Sequence, residues 1–301
     1  MGEFDFLEPI PKTTVSVRLP SRGILYRKDS PAGSGKIHLS PMTMVEESYF
    51  MDDELTFSEA FDKILKKCVQ EELDINTLLS ADKFFLFMML RAITYGPEYT
   101  FSWTCGSQKP NGENCRHKNS STVKIPDDFK LKMLADEDTE PFKITLPDCQ
   151  REISFKLLRG HDEVYIDRFS KMEESKKQEG VTLPNRLGIF RLARHITHVD
   201  GKSVKEAPEN ILMSFVASFS AKDRQYFQDK IAYYTPGLDT GVSVLCEKCG
   251  SVQKLDMPFT ADFFRAVINE DEIPAVADEV RSDVLLRDDL QRNNAPGSSR
   301  T

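Results

Sequence analysis

An α+β fold, with β-hairpins and helical blocks around a shared core, is predicted by three features of the sequence. Short segments near both ends alternate apolar and polar residues with the period of two that a half-buried strand requires. Residues 43 to 95 switch to the three- and four-residue spacing of helices. Two cysteine pairs, Cys105 with Cys115 and Cys246 with Cys249, each interrupt a strand–loop–strand pattern, although most of the helical sequence lies between them.

In chain order, an N-terminal arm (1–13) precedes TVSVRL (14–19), which alternates as a strand, and PSRGIL, which ends it with Pro and Gly. DSPAGSGK (29–36) reads as a turn and IHLSPM as the returning strand. Its GSGK is half of a phosphate loop, but that motif needs Gly at 30 and Ser or Thr at 37, where Ser30 and Ile37 stand. A hairpin tip accounts for it. In TFSEAFDKILKKCV, Phe57, Phe61, Ile64, Leu65 and Cys68 fall on one helical face, so Cys68 reads as a small core residue. ADKFFLFMMLRAITYG is apolar nearly all round and belongs in the core; Ser80 suits its cap, Asp82 its first turn and Gly96 its end.

The strands YTFSW and STVKI then enclose the first cysteine loop, and KITLPD with EISFKLL form another pair, Cys149 near their turn. HDEVYIDRFSKMEESKKQEG reads as a charged helix ending at Gly180, and PNRLGIFRLARHI as a helix that Pro184 starts. Asp200-Gly201 signals a two-residue hairpin. Two more helices follow, with Ile211, Leu212, Phe215, Val216 and Phe219 expected on one stripe; then GVSVL, the second cysteine pair, SVQKLDM and a short helix DFFRAV. One mixed domain over 14–268 is the organisation this pattern supports, the cysteine hairpins being 101–126 and 242–259. The tail 269–301 starts acidic and has little apolar surface to offset its ordering entropy. Leu285, Leu286 and Leu290 are its exception, a candidate partner-binding arm.

Composition excludes several function classes. The net charge of -8 and the pI near 5.3 oppose nucleic-acid binding, which relies on clustered Lys and Arg. MGEFDFLEP has neither the basic region nor the apolar core of an export signal, and Phe6 stands where myristoylation wants Ser or Thr. The apolar run FFLFMML is far short of the roughly 18 residues of a membrane span. A soluble cytosolic chain is expected, in which six cysteines stay reduced or bind metal.

VLCEKCGS has the form of a zinc knuckle: strand, Cys246, two residues, Cys249, and a Gly that turns the loop back. A redox C-x-x-C sits at a helix N-terminus instead, and SVQKLDM after Cys249 reads as a strand. The first pair shares the layout, with TVKIPDDF (122–129) echoing VQKLDMPF (252–259). Cys105, Cys115, Cys246 and Cys249 are therefore the leading ligand set of one zinc-ribbon-like four-cysteine site, and His117 is the alternative ligand because C-x9-C is wide. Four sulfur ligands leave no open position for a catalytic water, so the zinc would be structural, one per chain.

Other clusters have plainer readings. His195, His198 and Asp200 would need to face one way to hold a second metal, and His195 near a helix C-terminus is explained by the dipole. His161-Asp162-Glu163 lies where acidic residues suit a helix start. There is no G-x-S-x-G and no G-x-G-x-x-G.

VRLPSRGILY, IHLSPMTMVEE, LRAITYGPEYTFSWTC and CEKCG together resemble the baseplate hub subunit family of T4-like contractile-tailed phages over residues 14 to 260. That family runs strand, LPS-x-G-x-x-Y, helical block, R-x-x-x-[YF]-G-x-x-Y and paired cysteines. The C-x9-C loop and the tail after Asn269 depart from it. The resemblance implies a non-enzymatic virion or assembly protein, made in the host cytoplasm, whose partners are other phage baseplate or tail proteins and not a membrane. The competing expectations are an assembly chaperone absent from the mature virion and a zinc-ribbon adaptor for polymerase or nucleic acid.

Overall fold

Strand β1 (Val15–Arg18) pairs antiparallel with β2 (Lys36–Leu39), placing Val17 opposite Ile37 in the interior. The computed structural model describes residues 12–52, 54–108, 112–178, 186–259 and 261–264. The acidic tail 269–301, with Leu285, Leu286 and Leu290, lies outside the described residues, as do Gly180 and Pro184.

In the loop between β1 and β2 the backbone crosses itself closely. Gly23 has φ +81, and a Cβ there would lie 2.6 Å from the Gly33 carbonyl oxygen. A Cβ on Gly33 would meet the Arg27 carbonyl at 2.3 Å. The glycine-rich tip is thus a backbone crossing, with no room in it for a phosphate cradle.

Helices α1 (Met44–Glu47), α2 (Phe57–Cys68) and α3 (Ser80–Tyr95) follow. Thr56 caps α2 by accepting the Glu59 N–H, and Cys68 is fully buried on its inner face. In α3, Leu86, Met88 and Leu90 are fully buried, so this apolar helix is covered by its own chain. Leu79, not Ser80, is the N-cap residue. Gly96 ends the helix at φ +89 as expected.

The long hairpin β3 (Glu98–Thr104) and β4 (Lys118–Lys124) turns Tyr99, Phe101 and Trp103 inward. β5 (Lys130–Lys132) is followed by a sheet in the order β6 (Phe142–Thr145), β7 (Glu152–Phe155), β8 (Ile196–Val199), β9 (Lys202–Ser203). Helices α4 (Gly160–Gln178) and α5 (Arg186–His195) form the connection from β7 to β8. α6 (Glu209–Ala217) and α7 (Ala221–Tyr234) lead to β10 (Gly237–Asp239), which pairs with β5. On α6 the stripe is shifted from expectation: Ile211 is exposed and Met213 is buried in its place. The hairpin β11 (Gly241–Leu245) and β12 (Val252–Asp256) precedes a single 3-10 turn at Ala261–Phe264.

Two apolar clusters result. One joins β1, β2, α2, α3 and both cysteine hairpins; the other joins the four-stranded sheet to α4–α7. Tyr26 packs against both, and its hydroxyl donates to Asp82 at 2.6 Å while accepting the Leu79 N–H at 2.8 Å. Asp82, fully buried, also accepts the Ser21 N–H at 3.0 Å. Burial pushes its carboxyl up against the pull of those two donors. Lys83 ties α2 and α4 to α3 through Asp62 at 2.5 Å and Glu163 at 2.7 Å.

Glu46 anchors the turn after β2. Its carboxylate is buried, which opposes ionisation, but the Thr43 hydroxyl and N–H and the Lys12 ammonium outweigh this and bring the pKa down to about 2. A depressed carboxyl stabilises the fold above its ordinary pKa of 4.5, and that contribution is lost as pH falls toward about 2. The shift corresponds to on the order of 3 kcal/mol. Glu46→Gln is therefore expected to lower stability at neutral pH by about 2–3 kcal/mol and to flatten the acid limb, as read by urea denaturation at a series of pH values.

Candidate metal centre

The strand ladder of β3 and β4 continues past their ends into the first cysteine loop. Cys105 N–H donates to the His117 carbonyl at 2.8 Å, and Cys115 N–H to that of Ser107 at 2.8 Å. Arg116, at φ +49, donates its N–H to the Cys105 carbonyl at 3.0 Å, so the backbone kinks between the two cysteines and both side chains are buried. A further bridge pairs Gln108 with Asn114. The wide C-x9-C spacing is a consequence of this extended hairpin.

The second pair sits on a tight turn. Cys246 N–H donates to Ser251 O at 3.0 Å, Gly250 N–H to Cys246 O at 2.8 Å, and Gly250 has φ +68. With β12 following, Cys249 is not at a helix N-terminus. The hairpins lock through Ser107 and Ser251, whose hydroxyls are 2.6 Å apart, and through Asn119, which accepts the Glu247 N–H at 3.0 Å. With its amide oxygen turned toward the loop, Gln253 accepts Gly106 N–H at 3.2 Å and Ser107 N–H at 3.0 Å.

These contacts bring the four sulfurs of Cys105, Cys115, Cys246 and Cys249 within 4.8 Å of one another, and the group could hold a metal ion. Cys105 and Cys249 are 3.7 Å apart, Cys115 and Cys246 3.9 Å, and all four are free thiols. His117 is not in the group; it contributes its backbone carbonyl, which accepts from Cys105 N–H and Asn119 Nδ2. For Cys246, burial opposes ionisation, but the Cys249 and Lys248 N–H groups, the Cys249 thiol and the Asn119 amide outweigh it and bring the thiol down to about 6. At Cys249 the Ser251 N–H favours the thiolate, yet burial and the neighbouring sulfurs push it up to about 12. Crowded thiols resist a second negative charge, which a cation would relieve.

The model of the T4 bacteriophage base plate protein family matches residues 14–265. The chain belongs to that family. No curated protein and no solved structure matches it. As a T4-like phage baseplate protein it falls in a family with a structural role in the baseplate of the virion tail, among other tail and baseplate proteins. No described helix is long and apolar enough to cross a membrane.

In this baseplate protein the residues of the two sequence motifs do structural work. In LPSRGILY, Ser21 and Tyr26 bind Asp82 and Gly23 permits the backbone crossing. In LRAITYGPEY, Arg91 is buried, bonds the Gly96 carbonyl, donates to Phe263 O at 3.4 Å and lies 5.3 Å from the Tyr99 ring centroid. Tyr95 bonds Glu47.

The remaining candidate clusters have internal partners. Asp162 is fully buried in the first turn of α4, and it meets Lys156 and Arg194 each at 2.5 Å. Burial alone would raise its carboxyl, and these cations hold it down. His195 Nδ1 lies 2.8 Å from the Lys156 carbonyl, and burial lowers its pKa to about 4, so it is a neutral donor. Among the described residues, His195, His198 and Asp200 form no metal-holding group.

Asn119 escaped the sequence reading, although an amide at an inward-facing strand position was a signal. Its Nδ2 lies 3.6 Å from Cys246 Sγ. Asn119→Leu removes the acceptor of the Glu247 N–H and one of several donors to the Cys246 sulfur, and should cost about 1–3 kcal/mol in denaturant unfolding.

Proposed function

We propose that this baseplate protein is a non-catalytic structural subunit of the baseplate hub, in which Cys105, Cys115, Cys246 and Cys249 hold one structural zinc ion. The family match over residues 14–265 carries the functional reading. The zinc assignment rests on donor chemistry and spacing. Soft thiolates select zinc over hard cations. A tetrahedral shell with Zn–S of about 2.3 Å has sulfur–sulfur edges of about 3.8 Å; two of the pairs here are 3.7 Å and 3.9 Å apart, and all lie within 4.8 Å. Thiolates from two hairpins would then resemble a zinc ribbon, with every coordination position filled.

What a bound zinc supplies is charge neutralisation and a cross-link between the hairpins. The protein's own groups orient the thiolates: N–H groups of the 246–251 turn and the Asn119 amide point at sulfur, as supporting donors do around metal sites. The remaining surface is left for docking to other baseplate subunits. The acidic net charge of -8 disfavours a nucleic-acid adaptor.

Metal content by mass spectrometry, on full-length protein purified without chelator, tests the centre. One zinc per chain is expected, lost together with cooperative melting in both Cys105→Ser and Cys246→Ser, and retained in His117→Ala. Metal-free wild type, or loss in Cys246→Ser alone, overturns the assignment. Composition of purified tails tests the role: fixed stoichiometry in mature baseplates is expected, whereas recovery from precursors alone would make the protein an assembly factor.

A further inference from the structure

The turn that contains α1 presents apolar side chains to solvent on a backbone that is held in place. Met44 and Met51 are the most exposed large apolar residues among those described, at 84% and 79%, and Val45 between them is exposed at 66%. Chain mobility does not account for this exposure, because the turn is tethered along its length. Thr43 and Glu46 form a capping box, and Glu46 pairs with Lys12 at 3.0 Å. Met42 N–H donates to Thr94 Oγ1 at 3.1 Å, Tyr95 holds Glu47, and the Phe50 ring stacks on Phe264 at 4.6 Å. Fixing such a surface beforehand removes the ordering cost that a partner would otherwise meet on binding. Methionine adds a flexible, polarisable contact surface.

Carboxylates outnumber cations around this patch, where Lys12 pairs with Glu46 and Lys63 lies 5.6 Å from the Tyr49 ring centroid. Residues 44–54 carry five carboxylates and no Lys or Arg. Glu46 and Glu47 are engaged internally, while Asp52 and Glu54 are exposed beside Met51.

We propose that Met44, Val45 and Met51 form a docking surface for an apolar segment flanked by Lys or Arg on a different baseplate protein. The inference rests on the baseplate reading above and specifies one contact within it. Charge decides the occupant. A second copy seated patch to patch would set each acidic rim against its own image, since a two-fold interface pairs a surface with itself. An anionic lipid surface would be repelled for the same reason. A segment with basic flanks gains steering from the rim and apolar burial from the centre.

The test uses the full chain in cells where the particle assembles, with a photo-crosslinking amino acid replacing Met51. The expected adduct joins this chain to another baseplate protein, at a peptide whose apolar residues have Lys or Arg beside them. Met44→Asp with Met51→Asp should melt as wild type, because both side chains are exposed, and should lower incorporation into baseplates about tenfold or more. Met44→Leu with Met51→Leu should keep incorporation, and Asp52→Lys with Glu54→Lys should reduce it. An adduct to a second copy, no adduct, or full incorporation of the double aspartate variant overturns the proposal while leaving the baseplate role intact. Absence of the wild type from both baseplates and their precursors overturns the baseplate role, and this contact with it.

Discussion

Four thiols from two hairpins meet within 4.8 Å, and the first core of the protein is arranged around that convergence. Residues 115 and 246 enclose β4–β11 and four of the helices, so the meeting closes a long loop. Closure entropy grows only with the logarithm of loop length, so a large enclosed segment adds little to the cost once it folds on its own contacts. The enclosed sheet and helices do so, with Phe155 and Phe227 fully buried in a second cluster. The enclosed segment therefore packs on its own contacts, while the first core, which contains Cys105, Cys115 and Cys246, depends on the clasp.

Three buried charged residues on α3 fix the elements around that clasped core, and one of them, Lys83, also reaches α4. Asp82 gathers the β1–β2 loop, Lys83 reaches α2 and α4, and Arg91 joins the end of α3 to β3 and to the turn at Phe263. Each is expensive to bury and becomes tolerable because it has partners at defined distances. Apolar packing alone accepts many arrangements of similar volume, whereas these contacts admit few. This accounts for polar and glycine residues in the family motifs: they position backbone.

Much of the local structure was legible in the sequence. Strand alternation located β1–β4, β6, β7, β11 and β12, and helical spacing located α2 and α3, because one face of each is buried and the pattern records it; Ile196, read as the end of a helix, instead begins β8. The Asp200-Gly201 turn and the end of α3 at Gly96 were legible because few residues tolerate positive φ. β5 and β10 were not, since three residues carry too little periodicity and their pairing joins positions about 100 apart. The stripe on α6 was misread at Ile211 because periodicity gives the spacing of a face and leaves its bearing to neighbouring elements.

The sequence by itself determined the residue types of the centre: four cysteines in two strand–loop–strand settings, one pair on a tight glycine-ended turn, and the family motifs. The tertiary structure adds that the wide loop is an extended hairpin, that its two sulfurs converge with those of the second pair, and that Asn119 lies against Cys246. Neither hairpin's spacing encodes where the other lies. Their meeting depends on direct contacts such as Ser107 with Ser251 and Asn119 with Glu247, and on the apolar cluster that both hairpins share with α3, which are properties of the whole chain.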